Sequence, residues 1–242
     1  MDTKRYFIEL SYNGAAYCGW QSQPNAPTVQ QTLQDALSRL LKAPIIVVGC
    51  GRTDTGVHSS YYVAHMDCAE FDFTPDFLYH LNCLLPKDIS VSTIVPSMLH
   101  ARFDATYREY QYFISRVKNP FKDKQVWPLV IPLDTEAMAA ATARLMDYTD
   151  FTSFARTGSD NKTNLCTIFC AQWNFSAEQY VFTIASDRFL RGMVRTIVGT
   201  LVDVGRGKIS IDGFSRIIEQ RNRAKASSAA PPDGLFLTEV RY

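Results

Sequence analysis

A chain of 242 residues, 46% hydrophobic and 20% charged, can bury a sizeable core as one large domain or two modest ones, which argues against a disordered chain. Its 25 basic side chains almost cancel its 24 acidic ones, so bulk charge does not announce a nucleic-acid binder and leaves the partner open, and any surface for RNA must gather basic residues on one face. No run of about 18 apolar residues occurs, and Met1-Asp2-Thr3-Lys4-Arg5 has no signal-peptide character, so a cytoplasmic protein is expected. Cys18, Cys50, Cys68, Cys83, Cys166 and Cys170 are scattered without a Cys-x-x-Cys pair, as suits reduced thiols that mostly fill the core. Arg outnumbers Lys 16 to 9, a small tilt towards the planar fork that suits phosphate contact and base stacking.

Tyr6 to Tyr12 alternates Tyr6, Ile8, Leu10 and Tyr12 on one face, reads as a strand, and ends at the turn signal Asn13-Gly14. After Pro24 to Pro27, Thr28 and Gln31 form a capping-box pattern, and Leu33, Ala36, Leu37, Leu40 and Leu41 then recur at helical spacing until Pro44. Ile45 to Gly49 is a short buried-strand run, and Tyr61 to Met66 is a second strand beyond a polar loop from Gly51 to Ser60. Thr74-Pro75-Asp76 opens a helix with Phe77, Leu81, Leu84 and Leu85 on its apolar face, and Ile89 to Val95 supplies a fourth strand.

From about His100 the order begins again. A strand at Arg108 to Ser115, a helix from Thr135 to Met146, strands near Thr167 to Phe175 and Tyr180 to Ala185, and a long helix from Phe189 to Val204 follow in turn. Gly205 and Gly207 end that helix, Ile211 to Gln220 is an extra short one, and Leu235 to Arg241 is a last strand. Both halves thus read β-α-β-β-α-β. The expected class is α+β, with two ferredoxin-like halves, residues 1–99 and 100–242, whose antiparallel sheets join around a central cleft.

Asp54 sits in Gly51-Arg52-Thr53-Asp54-Thr55-Gly56-Val57-His58, a glycine-flanked polar loop between two strands. On the residues alone it has two readings: a turn former that bonds its own backbone, or a side chain held out for use, with Arg52 near enough to pair with a carboxylate or phosphate. Cys50, His58, His65 and Cys68 could be imagined around a zinc ion, but neither pair has an interval that lets one turn present two ligands. Arg188, Arg191 and Arg195, at i, i+3 and i+7 of the long helix, form a stripe that suits either a solvated face or phosphate contact. Tyr107, Tyr110 and Tyr112, interleaved with Arg102, Arg108 and Arg116, offer aromatics beside guanidinium groups, which serve base stacking or core packing equally well.

Several blocks together resemble the TruA family of tRNA pseudouridine synthases, over nearly the whole chain. They are Tyr12-Asn13-Gly14 with Gly19-Trp20-Gln21, the Asp54 segment, His100-Ala101-Arg102-Phe103 with Arg108-Glu109-Tyr110-Gln111-Tyr112, and Asp150-Phe151-Thr152-Ser153-Phe154. Phe189-Leu190-Arg191-Gly192-Met193-Val194-Arg195 with Ile197-Val198-Gly199-Thr200-Leu201, and Gly234-Leu235-Phe236-Leu237, complete the set. The resemblance implies a homodimer without metal or organic cofactor that acts on uridine in the anticodon stem-loop of tRNA. It implies Asp54 as the catalytic carboxylate, Arg52 as the arginine of the same motif and Tyr110 as the tyrosine that packs on the target base. Arg195 would be the basic partner of the aspartate, with Arg188 and Arg191 as further substrate contacts. One departure stands out: Tyr62 occupies the position where the family pattern has glutamine.

Two other classes compete with this one. A non-catalytic RNA-binding module of paired ferredoxin-like domains lacks its usual aromatic stacking signature, and a metal-dependent hydrolase would have to use Asp54, His58 and His65.

Overall fold

The computed structural model describes residues 3–158 and 162–242; Met1 and Asp2, read above as part of the N-terminal segment, lie outside the described residues. The chain is mixed α+β and folds as two compact units, Met1–Thr106 with Leu237–Tyr242, and Tyr107–Phe236.

In the first unit β1 (Thr3–Tyr12) buries Tyr6, Ile8, Leu10 and Tyr12 while the residues between them stay half-exposed, as a period of two demands of a sheet with one covered face. Thr28 caps α1 (Val29–Leu41) by accepting from the Gln31 backbone N–H at 3.4 Å, but the reciprocal half of the expected box is replaced. The Gln31 side chain accepts from Ser22 Oγ at 2.9 Å and donates to Asp35 at 2.8 Å, so it ties the preceding loop to the helix. The predicted Ile45 strand shortens to β2 (Val47–Gly49), whereas the next, β3 (His58–Ala69), starts three residues earlier than read. His58 and Ser59 are buried, and Ser59 pairs with Tyr12, so the polar loop is correspondingly shorter.

Thr74 accepts from the Phe77 N–H at 3.2 Å and Pro75 begins α2 (Pro75–Leu84). Its covered face is narrower than expected: Leu81 and Leu85 are buried, but Leu84 is 39% exposed. β4 (Ile89–Pro96) lies antiparallel to β1, which gives the order β4-β1-β3 with β2 also paired to β3.

In the second unit β5 (Tyr107–Ser115) bears a two-residue parallel partner that the sequence did not announce, β6 (Trp127–Pro128). α3 (Thr135–Ala143) tightens into a 3-10 turn over Arg144–Asp147, so the helical pattern read to Met146 is not α-helix throughout. β7 (Ile168–Phe175) and β8 (Gln179–Ser186) complete an antiparallel set in the order β5-β8-β7.

The long helix is the main correction. α4 (Met193–Gly205) does not begin at Phe189: Gly192 adopts φ 72°, a left-handed conformation that cannot continue a right-handed helix, and Met193 N–H closes a turn onto the Leu190 carbonyl at 3.0 Å. Arg188 and Arg191 therefore lie in the loop before the helix, Arg195 lies in its first turn, and the three do not form a stripe. α4 is buried nearly all round, and α5 (Ile211–Glu219) packs Phe214, Ile217 and Ile218 inward. β9 (Leu235–Arg241) delivers Leu237 onward to the first unit, where Ser59 Oγ donates to the Leu237 carbonyl at 3.1 Å and Tyr242 OH to that of Ala101 at 2.8 Å. No helix among the described residues is long and apolar enough to cross a membrane.

Candidate active site

Residues 51–57 are clamped by the chain between β1 and α1. Trp20 N–H donates to the Thr53 carbonyl at 3.3 Å and Gly56 N–H to that of Tyr17 at 3.2 Å, while the buried hydroxyls of Tyr12 and Thr53 bond at 2.9 Å. Gly14 N–H donates to Nδ1 of His58 at 3.1 Å and so fixes the far end of the loop. Gly19 has φ 86°, and a Cβ there would stand 2.5 Å from the Thr53 carbonyl oxygen; only glycine lets the two backbones approach so closely. The turn itself is closed by main chain, Val57 N–H to the Asp54 carbonyl at 3.1 Å. Asp54 is thereby the first residue of a tight turn and is half-buried.

Arg52, beside it, is exposed and is held at Nε by Gln21 Oε1 at 3.1 Å. Gln21 donates in turn to Gln30 at 2.8 Å, and Gln30 to the Val47 carbonyl at 2.7 Å, a relay of side-chain amides that ends in β2. Tyr62 is fully buried: its ring stacks on Trp20 at 4.1 Å between centroids, meets Tyr12 edge-on at 5.5 Å, and its hydroxyl donates to the Gly51 carbonyl at 2.5 Å. The residue that departs from the family pattern thus packs the floor under the start of the loop.

On the second unit Tyr110 lies half-buried in β5 with its ring edge-on to Phe189 at 5.2 Å, an aromatic pair that sequence reading missed because Phe189 was assigned to a helix. Tyr112, two residues on, is fully buried and donates to the Pro231 carbonyl at 2.7 Å; Tyr107 stacks on Phe169 and bonds Glu109. The three tyrosines thus have three different settings. Arg108 donates to the Asp187 carbonyl at 2.6 Å, and Arg116 donates to the Leu129 and Ile131 carbonyls while lying over Tyr180. These contacts tie both guanidiniums into the scaffold.

Arg195 stands in the first turn of α4, where the helix dipole opposes a cation, and its Nε donates to the Ala230 carbonyl at 2.8 Å. The Gly192 cap carries no side chain to accept from the helix N–H groups, so a guanidinium and the positive end of a helix are placed together, a combination suited to an anion. Arg188 is half-buried with its N–H on Asp187, and Arg191 is exposed with its carbonyl accepting from Arg156 N–H at 2.9 Å.

The imagined metal quartet is not assembled: among the described residues no group of three or more His, Cys, Asp or Glu is placed to hold an ion. His58 and His65 accept at Nδ1 from the backbone N–H groups of Gly14 and Ala101, each at 3.1 Å. Burial, with the Arg5 charge and His100 adding to it, lowers His65 from 6.5 to about 4. Burial also pushes the Cys166 thiol up to about 12, which removes it as a thiolate nucleophile at neutral pH.

Residues 142–242 match the family described as tRNA pseudouridine synthase, and that match together with full-length relatives places the chain in the class of pseudouridine-forming isomerases. The chain is 50% identical over 242 residues to the tRNA pseudouridine synthase A of Parabacteroides distasonis, covering 99% of this chain and 96% of that protein. It is 49% identical over 246 residues to that of Bacteroides fragilis, covering 100% and 98%, and 38% identical over 244 residues to that of Exiguobacterium sibiricum, covering 99% and 97%. The chain belongs to the tRNA pseudouridine synthase A family.

Proposed function

We propose that this protein isomerises uridine to pseudouridine at positions 38–40 of the tRNA anticodon stem-loop, with Asp54 as its essential carboxylate. Family membership gives the reaction class, and the observation that supports the residue assignment is the clamped loop, whose close backbone contacts fix Asp54 at a half-buried position. The N1–C1′ bond breaks, the uracil rotates while held, C5 bonds to C1′, the C5 proton leaves to solvent and N1 takes one up. Such a sequence calls for a nucleophile or base and a closed pocket rather than a hydride carrier.

A uridine in a stem must first be flipped out, at a cost of a few kcal/mol. We assign Tyr110 to stack on the flipped base and Arg52 to hold it out of the helix. Arg195 is the basic partner of that carboxylate, and Arg188 and Arg191 contact phosphates. In this reading residues 1–99 and 100–242 are two ferredoxin-like topological halves, the working enzyme is a cytoplasmic homodimer, and no metal or organic cofactor takes part.

Incubation with unmodified tRNA carrying tritium at uridine C5 tests it. Tritium should be released with or without a chelator, and Asp54→Asn should release none while binding tRNA within about tenfold of the wild type, since that affinity comes mainly from phosphate contacts. Release by Asp54→Asn at the wild-type rate would overturn the assignment.

A further inference from the structure

A groove of about 730 Å³ opens on the second unit between the loop that follows Phe154 and the segment after α5, walled by Arg156, Arg221 and Arg223 with Asn164, Gln220 and Asn222 between them. We propose that it is a second binding surface, one that takes the phosphodiester backbone of the RNA; the inference rests on the reading of the protein as a tRNA-modifying enzyme. Pockets for small organic ligands are lined mainly by apolar and aromatic side chains, and this one has no aromatic residue among those described. It offers no platform on which a base could stack. Three guanidiniums and three amides are instead suited to acceptor oxygens that carry negative charge, and contacts of that kind position a strand without reading its sequence.

The local structure sets these side chains in place. Asp150 accepts from Thr152 N–H at 3.0 Å and Thr152 Oγ1 at 2.6 Å through one oxygen and from Arg221 Nε at 3.0 Å through the other, so it anchors the wall of the groove without lining it. Asn222 N–H donates to Ser153 Oγ at 2.9 Å, and its own side chain caps the 3-10 turn Arg223–Lys225 by accepting from Ala224 N–H at 3.0 Å. Arg221 itself has φ 48°, just past the end of α5, where glycine is the usual and least strained occupant. At the other end, Arg156 N–H holds the Arg191 carbonyl, so the groove begins beside the loop proposed above as a phosphate contact.

The experiment measures binding of an unmodified tRNA transcript to the full-length protein across a range of salt concentrations, and tritium release in parallel. Arg156→Gln and Arg223→Gln should each raise Kd at least threefold and lower the slope of log Kd against log salt by about 1, with the loss falling on KM rather than kcat. The Lys variants at both positions, which keep the charge, should recover most of the slope. Ala224→Glu, on an exposed turn, adds a negative charge without removing any contact and should weaken binding in the same direction even if an Arg variant folds poorly. Wild-type affinity and slope in the Arg156→Gln/Arg223→Gln double variant, with Ala224→Glu also unchanged, overturn the groove. Because binding and turnover are read separately, an absence of tritium release from the wild type tells against the catalytic reading, whereas an unchanged slope tells against the groove.

Discussion

Tyr62 and Arg195 each carry out a task that their type and position in the sequence leave ambiguous. Tyr62 stacks on Trp20 and bonds the Gly51 carbonyl. Tyr62→Gln, which restores the family pattern, should leave a cavity where the ring was and bury an amide among aromatics, at a cost of about 3 kcal/mol or more. Denaturant unfolding should show that loss, and tritium release should fall because the floor of the Asp54 loop is gone; unchanged stability would mean that glutamine fits the same pocket.

For Arg195 two effects oppose each other. Removing a cation from the positive end of α4 gains about 0.3–1 kcal/mol, whereas losing a charge-assisted bond to the Ala230 carbonyl costs about 1.5–3 kcal/mol, so the bond wins. Arg195→Ala should therefore be less stable by roughly 1–2 kcal/mol. A gain in thermal midpoint would show that the dipole term dominates.

At the scale of elements, β3 couples the fold to pH through His65. Its ring accepts from Ala101 N–H and is held neutral, with a folded value of about 4 against an ordinary 6.5. Above about 6.5 the ring is neutral in both states and its contribution is fully present. As pH falls from there towards 4, the unfolded chain takes up a proton that the folded ring refuses, and stability is lost. Denaturant midpoints at pH 7 and pH 5 should therefore differ less in His65→Asn, whose side-chain oxygen can still accept from Ala101; an equal difference would assign the pH dependence to other groups. The elements themselves were largely legible. β1, α1, α2 and β9 follow from alternation, caps and proline, because each has one covered face and local chemistry at its ends. The start of α4 was not, because Leu190 is buried beside the helix and continues its apolar pattern, while only the left-handed Gly192 reveals where the helix begins.

For the whole molecule, the cysteines and the metal-free reaction proposed above lead to a joint prediction. Cys83 is exposed whereas Cys50, Cys68 and Cys166 are buried, so a thiol-alkylating reagent should react first at Cys83 and leave tritium release intact, with chelator present throughout. Loss of release that one divalent metal specifically restores would instead favour the hydrolase reading.

The sequence by itself determined the class of fold and the family, because periodicity, caps and a set of spaced motifs are local properties of the chain. It also singled out Asp54 within its polar loop. Only the tertiary structure decided what holds that loop, since Tyr12, Gly19 and Trp20 reach it from positions distant in sequence and Tyr62 packs beneath it by stacking on Trp20. It also separated Arg188 and Arg191 from the helix of Arg195. Arg156, separated by more than 60 residues from Arg221 and Arg223, meets them across one groove because the loop after Phe154 packs beside the end of α5. Contacts between residues that far apart are set by how elements pack, and no spacing along the chain encodes them.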